Sequence, residues 1–184
     1  MDGYIDNLLL KFGHKAPTKP QLSLYCHCDN IYSSKDQFAA EEVTSPKLTN
    51  AGIHRVQDIV GAILYYARAI NKRFLVGLSA IGAHQAAATE QTTAAIYQLL
   101  DHLETYPNDG IIYWTSDIIL EDHSDDGFKN YPKARRCAGS QIFLSEEKPT
   151  TKWNRSVLAI AQIIKFVMSL AAEDELGVLY ITAK

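Results

Sequence analysis

Glu121-Asp122-His123-Ser124-Asp125-Asp126-Gly127-Phe128 is the stretch on which the reading of this chain turns. The run ahead of it, Ile118-Ile119-Leu120, is apolar and mostly β-branched, so it predicts a strand leading in. Asp126-Gly127 predicts a turn leading out. A basic run, Lys133 to Arg136, comes next. An acidic cluster at a strand end can hold a divalent cation next to phosphate, because hard cations choose oxygen ligands.

Working outward, Ile111-Ile112-Tyr113-Trp114 and Gln141-Ile142-Phe143-Leu144 predict two more short strands, and Glu147-Lys148-Pro149 punctuates the chain after the second. Short connections between such runs predict an antiparallel meander. Trp153 to Leu179 stays open. Val157, Ile160, Ile163 or Ile164, Val167 and Leu170 can be drawn on a helix, yet many of them are β-branched and suit strands. Glu173 to Ile181 predicts a helix with Leu176, Leu179 and Tyr180 on one face. Asp126, Glu173 and Asp174 are expected to be exposed charges.

Toward the N-terminus the pattern is helical. Ile5, Leu8, Leu9 and Phe12 recur at i, i+3, i+4 and i+7, which predicts a helix over Tyr4 to Phe12 with Gly13 as its stop. Residues 14–47 lose this period, and Pro17, Pro20 and Pro46 mark an irregular linker. Thr49 reads as an N-cap. Behind it Ile53, Val56, Val60, Ile63, Leu64, Ala67 and Ile70 form one apolar face. Asn71-Lys72-Arg73 breaks that helix, and a second covers Phe74 to about Ala87. Thr89 caps a third, with Ile96, Leu99, Leu100 and Leu103 inward, and Tyr106-Pro107-Asn108-Asp109-Gly110 ends it. Tyr65-Tyr66 reads as rim and core packing. The fold class is therefore α+β: a short helix and linker over 1–49, a helical unit over 50–108, and a sheet with a helix over 109–184.

The totals narrow the partners. Lys and Arg number 9 against 11 Asp and Glu in residues 1–109, and 9 against 10 in 110–184, for a net charge of −3. Neither half is broadly basic, so nucleic-acid contact would come from a local patch, and Lys133, Arg135 and Arg136 are the candidates. Cys26, Cys28 and Cys137 are an odd set without a signal peptide, which predicts an intracellular protein, in cytoplasm or nucleus. Cys26-His27-Cys28 has Cys-x-Cys spacing and no second ligand pair, so no zinc site is expected. The longest apolar-rich run, Val157 to Ala172, is interrupted by Gln162, Lys165 and Ser169, too short and polar for a membrane span.

Three stretches together resemble the copia-type retrotransposon polyprotein. Tyr4-Ile5 through Leu8-Leu9-Leu10-Lys11-Phe12-Gly13, with Lys19-Pro20, is similar to the helix and Pro-rich exit behind the reverse transcriptase palm. Ile59-Val60-Gly61-Ala62-Ile63-Leu64-Tyr65-Tyr66-Ala67 resembles the helix that opens the thumb and connection region, and Leu99-Leu100-Asp101-His102-Leu103 the last connection helix. The third stretch is similar to the N-terminal part of the ribonuclease H domain. Ser124-Asp125 resembles the family's Ser/Thr-Asp at its first strand end. Arg135-Arg136-Cys137-Ala138-Gly139-Ser140-Gln141-Ile142-Phe143-Leu144 resembles the Arg-Arg-Ser-x-Ser-Gly strand. Ser169 through Glu173-Asp174-Glu175-Leu176 resembles the Ser-Ser-x-Glu-Ala-Glu motif.

The resemblance implies strands around Val157–Ile160 and Phe166–Met168, then a helix from about Ala172. It implies metal-dependent cleavage of RNA in RNA–DNA hybrids, with Asp125 and Glu175 as catalytic metal ligands and Mg²⁺ or Mn²⁺ as cofactor. The implied partners are an RNA–DNA hybrid or the remainder of the polyprotein. Three departures stand out. The Tyr-x-Asp-Asp-type polymerase motif is absent, Asn71-Lys72-Arg73 replaces an Arg-Pro-Asp motif, and Gly127 occupies the place of a frequent second Asp. The remaining acidic ligands would follow Lys184, so the chain alone is expected to cleave little or nothing. The alternative is a non-catalytic remnant or a nucleic-acid-binding or interaction module.

Overall fold

The computed structural model describes residues 3–26, 45–131, 135–147, 154–165 and 171–183, the side chains of 128–131, 135 and 171 excepted. These residues fall into two compact units, one of 3–26 with 45–110 and one of 111–183. Helices make the first, and a three-stranded antiparallel sheet with one helix makes the second, an α+β chain.

In the helical unit, α1 spans Tyr4–Phe12 and buries Ile5, Leu8, Leu9 and Phe12. It ends where Gly13 turns left-handed (φ 60°), so that the amides of Gly13 and His14 reach back to the carbonyls of Leu10 and Leu9. Glycine adopts that conformation without a Cβ clash. α2 spans Asn50–Ala69, and the Thr49 hydroxyl accepts from the Gly52 amide. Its inward face holds Val56, Val60, Ile63 and Ala67 as predicted, and adds Ile59 and Tyr66. Tyr66 is buried and Tyr65 exposed.

α3 covers Phe74–Gly82, shorter than predicted, and a 3₁₀ turn over Gln85–Ala87 follows. α4, Glu90–Thr105, begins at a reciprocal cap: the Thr89 hydroxyl accepts from the Thr92 amide, and the Thr92 hydroxyl accepts from the Thr89 amide. Ile63, Phe74, Ile96, Leu99, Leu100 and Leu103 are nearly or wholly inaccessible and form the centre of this unit.

Residues 14–26 contain no helix or strand, but they are tied along one side of α4. His14 pairs with Asp101 at 2.8 Å, the His102 ring meets the Gln21 carbonyl at 2.9 Å, the Gln21 amide donates to Thr105, and Gln98 donates to the Ser23 carbonyl. Positions 98, 101, 102 and 105 follow the i, i+3, i+4, i+7 spacing of one helix face. Cys26 is exposed and free, while His27 and Cys28 lie outside the described residues.

In the second unit, β1 (Ile119–Tyr131), β2 (Arg135–Ser145) and β3 (Leu158–Ile163) pair antiparallel in the order β1-β2-β3, and α5 (Ala171–Thr182) packs against β1 and β2. Among the described residues no strand pairs with the outer side of β1. Two expectations from the sequence are corrected by the sheet. Asp126-Gly127 is not a turn. It lies inside β1, paired with Ala138 and Cys137, and the register slips only beyond Gly127. Ladder pairing overrides local turn preference at these two residues.

Ile111–Trp114 is not a strand either. Ile118, just before β1 starts, has φ 60°, a left-handed conformation outside the extended range of a strand. The segment is instead tied to 154–156, where the Tyr113 hydroxyl donates to the Ser156 carbonyl. The Asn154 amide accepts from the Trp114 amide and donates to the carbonyls of Trp114 and Leu144. The stretch from Trp153 to Leu179 resolves as β3 and then α5, without a continuous helix. The strand expected around Phe166–Met168 lies outside the described residues. No helix of the described chain is long and apolar enough to cross a membrane.

Candidate metal centre

β1 and the N-terminal half of α5 bring three carboxylates together. Asp125 and Asp126 come from the middle of β1 and Glu175 from α5, and one oxygen of each lies within 4.8 Å of the others. Asp125 and Glu175 are 50 positions apart in sequence, and the antiparallel meander with its returning helix closes that gap. Asp125 also accepts from the Asp126 amide at 2.9 Å, which holds the first carboxylate against the strand. Asp125 and Glu175 are exposed, Asp126 is half-buried, and Asp126 Oδ2 is inaccessible with no hydrogen-bond partner.

The electrostatics follow from that crowding. Burial raises the Asp126 carboxyl above its ordinary value, and the negative charges of Asp174 and Asp125 raise it further. A hydrogen bond from Glu175 and the Arg136 guanidinium act in the opposite direction. Glu175 is also raised, by desolvation among its neighbours and then by the charges of Asp126 and Asp125. Like charges this close disfavour their own ionisation, which a cation between them would reverse.

Beneath the trio lies a buried ion pair. The Arg136 guanidinium from β2 pairs with Oδ1 of Asp174, the residue before Glu175. Arg136 is 9% accessible and Asp174 0%. Two expectations fail at this pair. Asp174 is not an exposed charge, and Arg136 is not a surface contact for phosphate, because its charge is spent on a buried carboxylate. Glu173 is exposed as expected. The side chains of Lys133 and Arg135 lie outside the described residues.

The inner face of α5 is also corrected. Asp174, Val178 and Ile181 face the sheet, where Val178 packs with Ala138 and Ile164, while Leu176, Leu179 and Tyr180 are exposed. One signal in the sequence marked this face. Positions 174, 178 and 181 keep helical spacing, so an acidic residue there shares a stripe with two β-branched ones.

A separate cleft of about 630 Å³ opens in the helical unit, lined among others by Arg73, His102, Tyr106 and Asp109. Arg73 and the buried Asn71 both reach Asp109. Burial lowers the His102 ring below its ordinary value, and its Nε2 has no partner.

Comparisons with protein-family models, with curated proteins and with solved structures find no match to this chain.

Proposed function

We propose that this chain is part of a copia-type retrotransposon polyprotein. On this reading the second unit is the first portion of a ribonuclease H-like domain acting on RNA–DNA hybrids inside the cell. The observation that carries the proposal is the meeting of Asp125, Asp126 and Glu175 where α5 returns onto β1. The antiparallel β1-β2-β3 order with a helix after it supports the reading as well.

The donor set fits a hard divalent cation. All three ligands are carboxylates, and the orphaned Asp126 Oδ2 is a buried acceptor that an ion would satisfy. Mg²⁺ keeps several waters and takes few protein ligands, so three carboxylates suffice to hold it. Held by Asp125, Asp126 and Glu175, such a cation would supply activation of water and stabilisation of the leaving oxygen. The chain's own residues do the rest. Asp125 and Asp126 present oxygens from a paired strand, Glu175 supplies the third from a helix, and Arg136 stays behind them, away from substrate. No fourth acidic or histidine side chain joins the trio among the described residues. Hybrid cleavage by the chain alone is therefore expected to be absent or slight.

The test is Mn²⁺ titration followed by electron paramagnetic resonance, alongside a labelled RNA–DNA hybrid assay. We expect saturable Mn²⁺ binding that Asp125→Asn and Glu175→Gln each weaken, with little cleavage by the native chain. Binding indifferent to both substitutions would remove the metal centre. Robust cleavage abolished by Asp125→Asn would show a complete enzyme.

A further inference from the structure

Arg136 and Asp174 occupy a position that the chemistry of the trio does not require. A buried ion pair is seldom a net source of stability, since desolvating both charges offsets most of their attraction, and apolar residues of similar size often serve as well. What such a pair can supply is one specific register. α5 needs that. Its apolar residues form two stripes, Val178 with Ile181 and Leu176 with Leu179 and Tyr180, and only the first faces the sheet. Rotating the helix to bury the second stripe would hide more apolar surface and carry Glu175 away from β1.

We propose that Arg136 is a positioning residue. Through Asp174 it selects the rotation of α5 that sets Glu175 beside Asp125 and Asp126. The inference rests on the metal-centre reading for its purpose but not for its geometry. Three observations support it. Asp174 is the immediate neighbour of Glu175 and is fully buried. Arg136 projects from β2, the strand paired with the segment holding Asp125 and Asp126. The helix's two apolar stripes leave its rotation otherwise undecided.

The experiment uses the full chain with Cys26→Ser, Cys28→Ser and Cys137→Ala, so that the thiols introduced by Asp125→Cys and Glu175→Cys are the sole ones. Cross-linking by a short bis-methanethiosulfonate reports the distance between those two positions without any metal. Arg136→Met with Asp174→Leu replaces the pair by apolar side chains and leaves no unpaired buried charge. We expect this variant to keep a cooperative melt while its cross-linking slows about tenfold, the factor set by the coupling typical of residues in one ion-pair network. Unchanged cross-linking overturns the proposal and leaves the pair as packing alone. Should the double variant lose its cooperative melt, Asp174→Asn decides instead. Slower cross-linking at a retained melt supports the role, and an unchanged rate overturns it. Mn²⁺ binding by the native chain, measured in parallel, separates the two ideas. Absent binding with pair-dependent cross-linking removes the metal centre and keeps the positioning role.

Discussion

At the scale of single residues, burial decided what each charge does. Asp126 and Asp174 look alike in the sequence, both acidic and both beside another acid. The fold leaves the first half-exposed in a carboxylate trio and encloses the second against Arg136. Because Asp126 is raised by burial and by its acidic neighbours, its ionised form is a burden to the folded chain when no cation is present. The folded state binds the proton more tightly than the unfolded one, so stability from this group rises as pH falls into the carboxylate range and is lost above it. We expect Asp126→Asn to raise the melting temperature of the second unit at neutral pH without metal, and to diminish the further rise that Mn²⁺ gives the native chain. His102 has the opposite sign. Its ring is held below the ordinary 6.5 by burial. The unfolded chain therefore takes up the proton first, so this contribution is complete above that value and is lost as pH drops below it. Urea midpoints of the helical unit at about pH 7.5 and about pH 5.5 should differ for the native chain and differ less for His102→Gln.

At the scale of elements, the helices of the first unit were legible and the sheet was legible only in part. Thr49, Gly13 and Thr89 act at the predicted ends because caps satisfy backbone groups locally, with no need of distant partners. The strands depend on partners. Asp126-Gly127 reads as a turn by itself and becomes a strand only because Ala138 and Cys137 lie opposite. Ile111–Trp114 reads as a strand and is not one, and the left-handed Ile118 separates it from β1. For the site, the approach of Asp125 to Glu175 was readable through resemblance, whereas the burial of Asp174 lay in a helical stripe easily masked by the more apolar Leu176, Leu179 and Tyr180. Ile118 also carries a strain. A β-branched residue is disfavoured in the left-handed region by roughly 1–2 kcal/mol, and Ile118 is 73% accessible, so little packing would be lost on replacing it. Asparagine tolerates that conformation. We expect Ile118→Asn to stabilise the second unit by about 1 kcal/mol in denaturant unfolding.

At the scale of the whole molecule, the chain divides into a unit built on local helical contacts and one built on pairings distant in sequence. Each has its own buried centre, so heating should produce two transitions rather than one. Mn²⁺ should raise only that of 111–183, and acidification through the His102 range should lower that of the helical unit. Scanning calorimetry at two pH values, with and without Mn²⁺, resolves all of this, and a single transition shifted as a whole would show that the units melt together. Among the described residues no strand pairs with the outer side of β1, which has a consequence of another kind. An open strand edge invites another extended chain to add to it, and charged side chains are the usual guard against such growth. Here Glu121, Asp122, Asp125 and Asp126 lie in succession along that edge strand. The acids on this strand, Asp125 and Asp126 among them, are therefore also expected to keep one copy of the molecule from recruiting the next into a fibril, and protonating them would lift that guard.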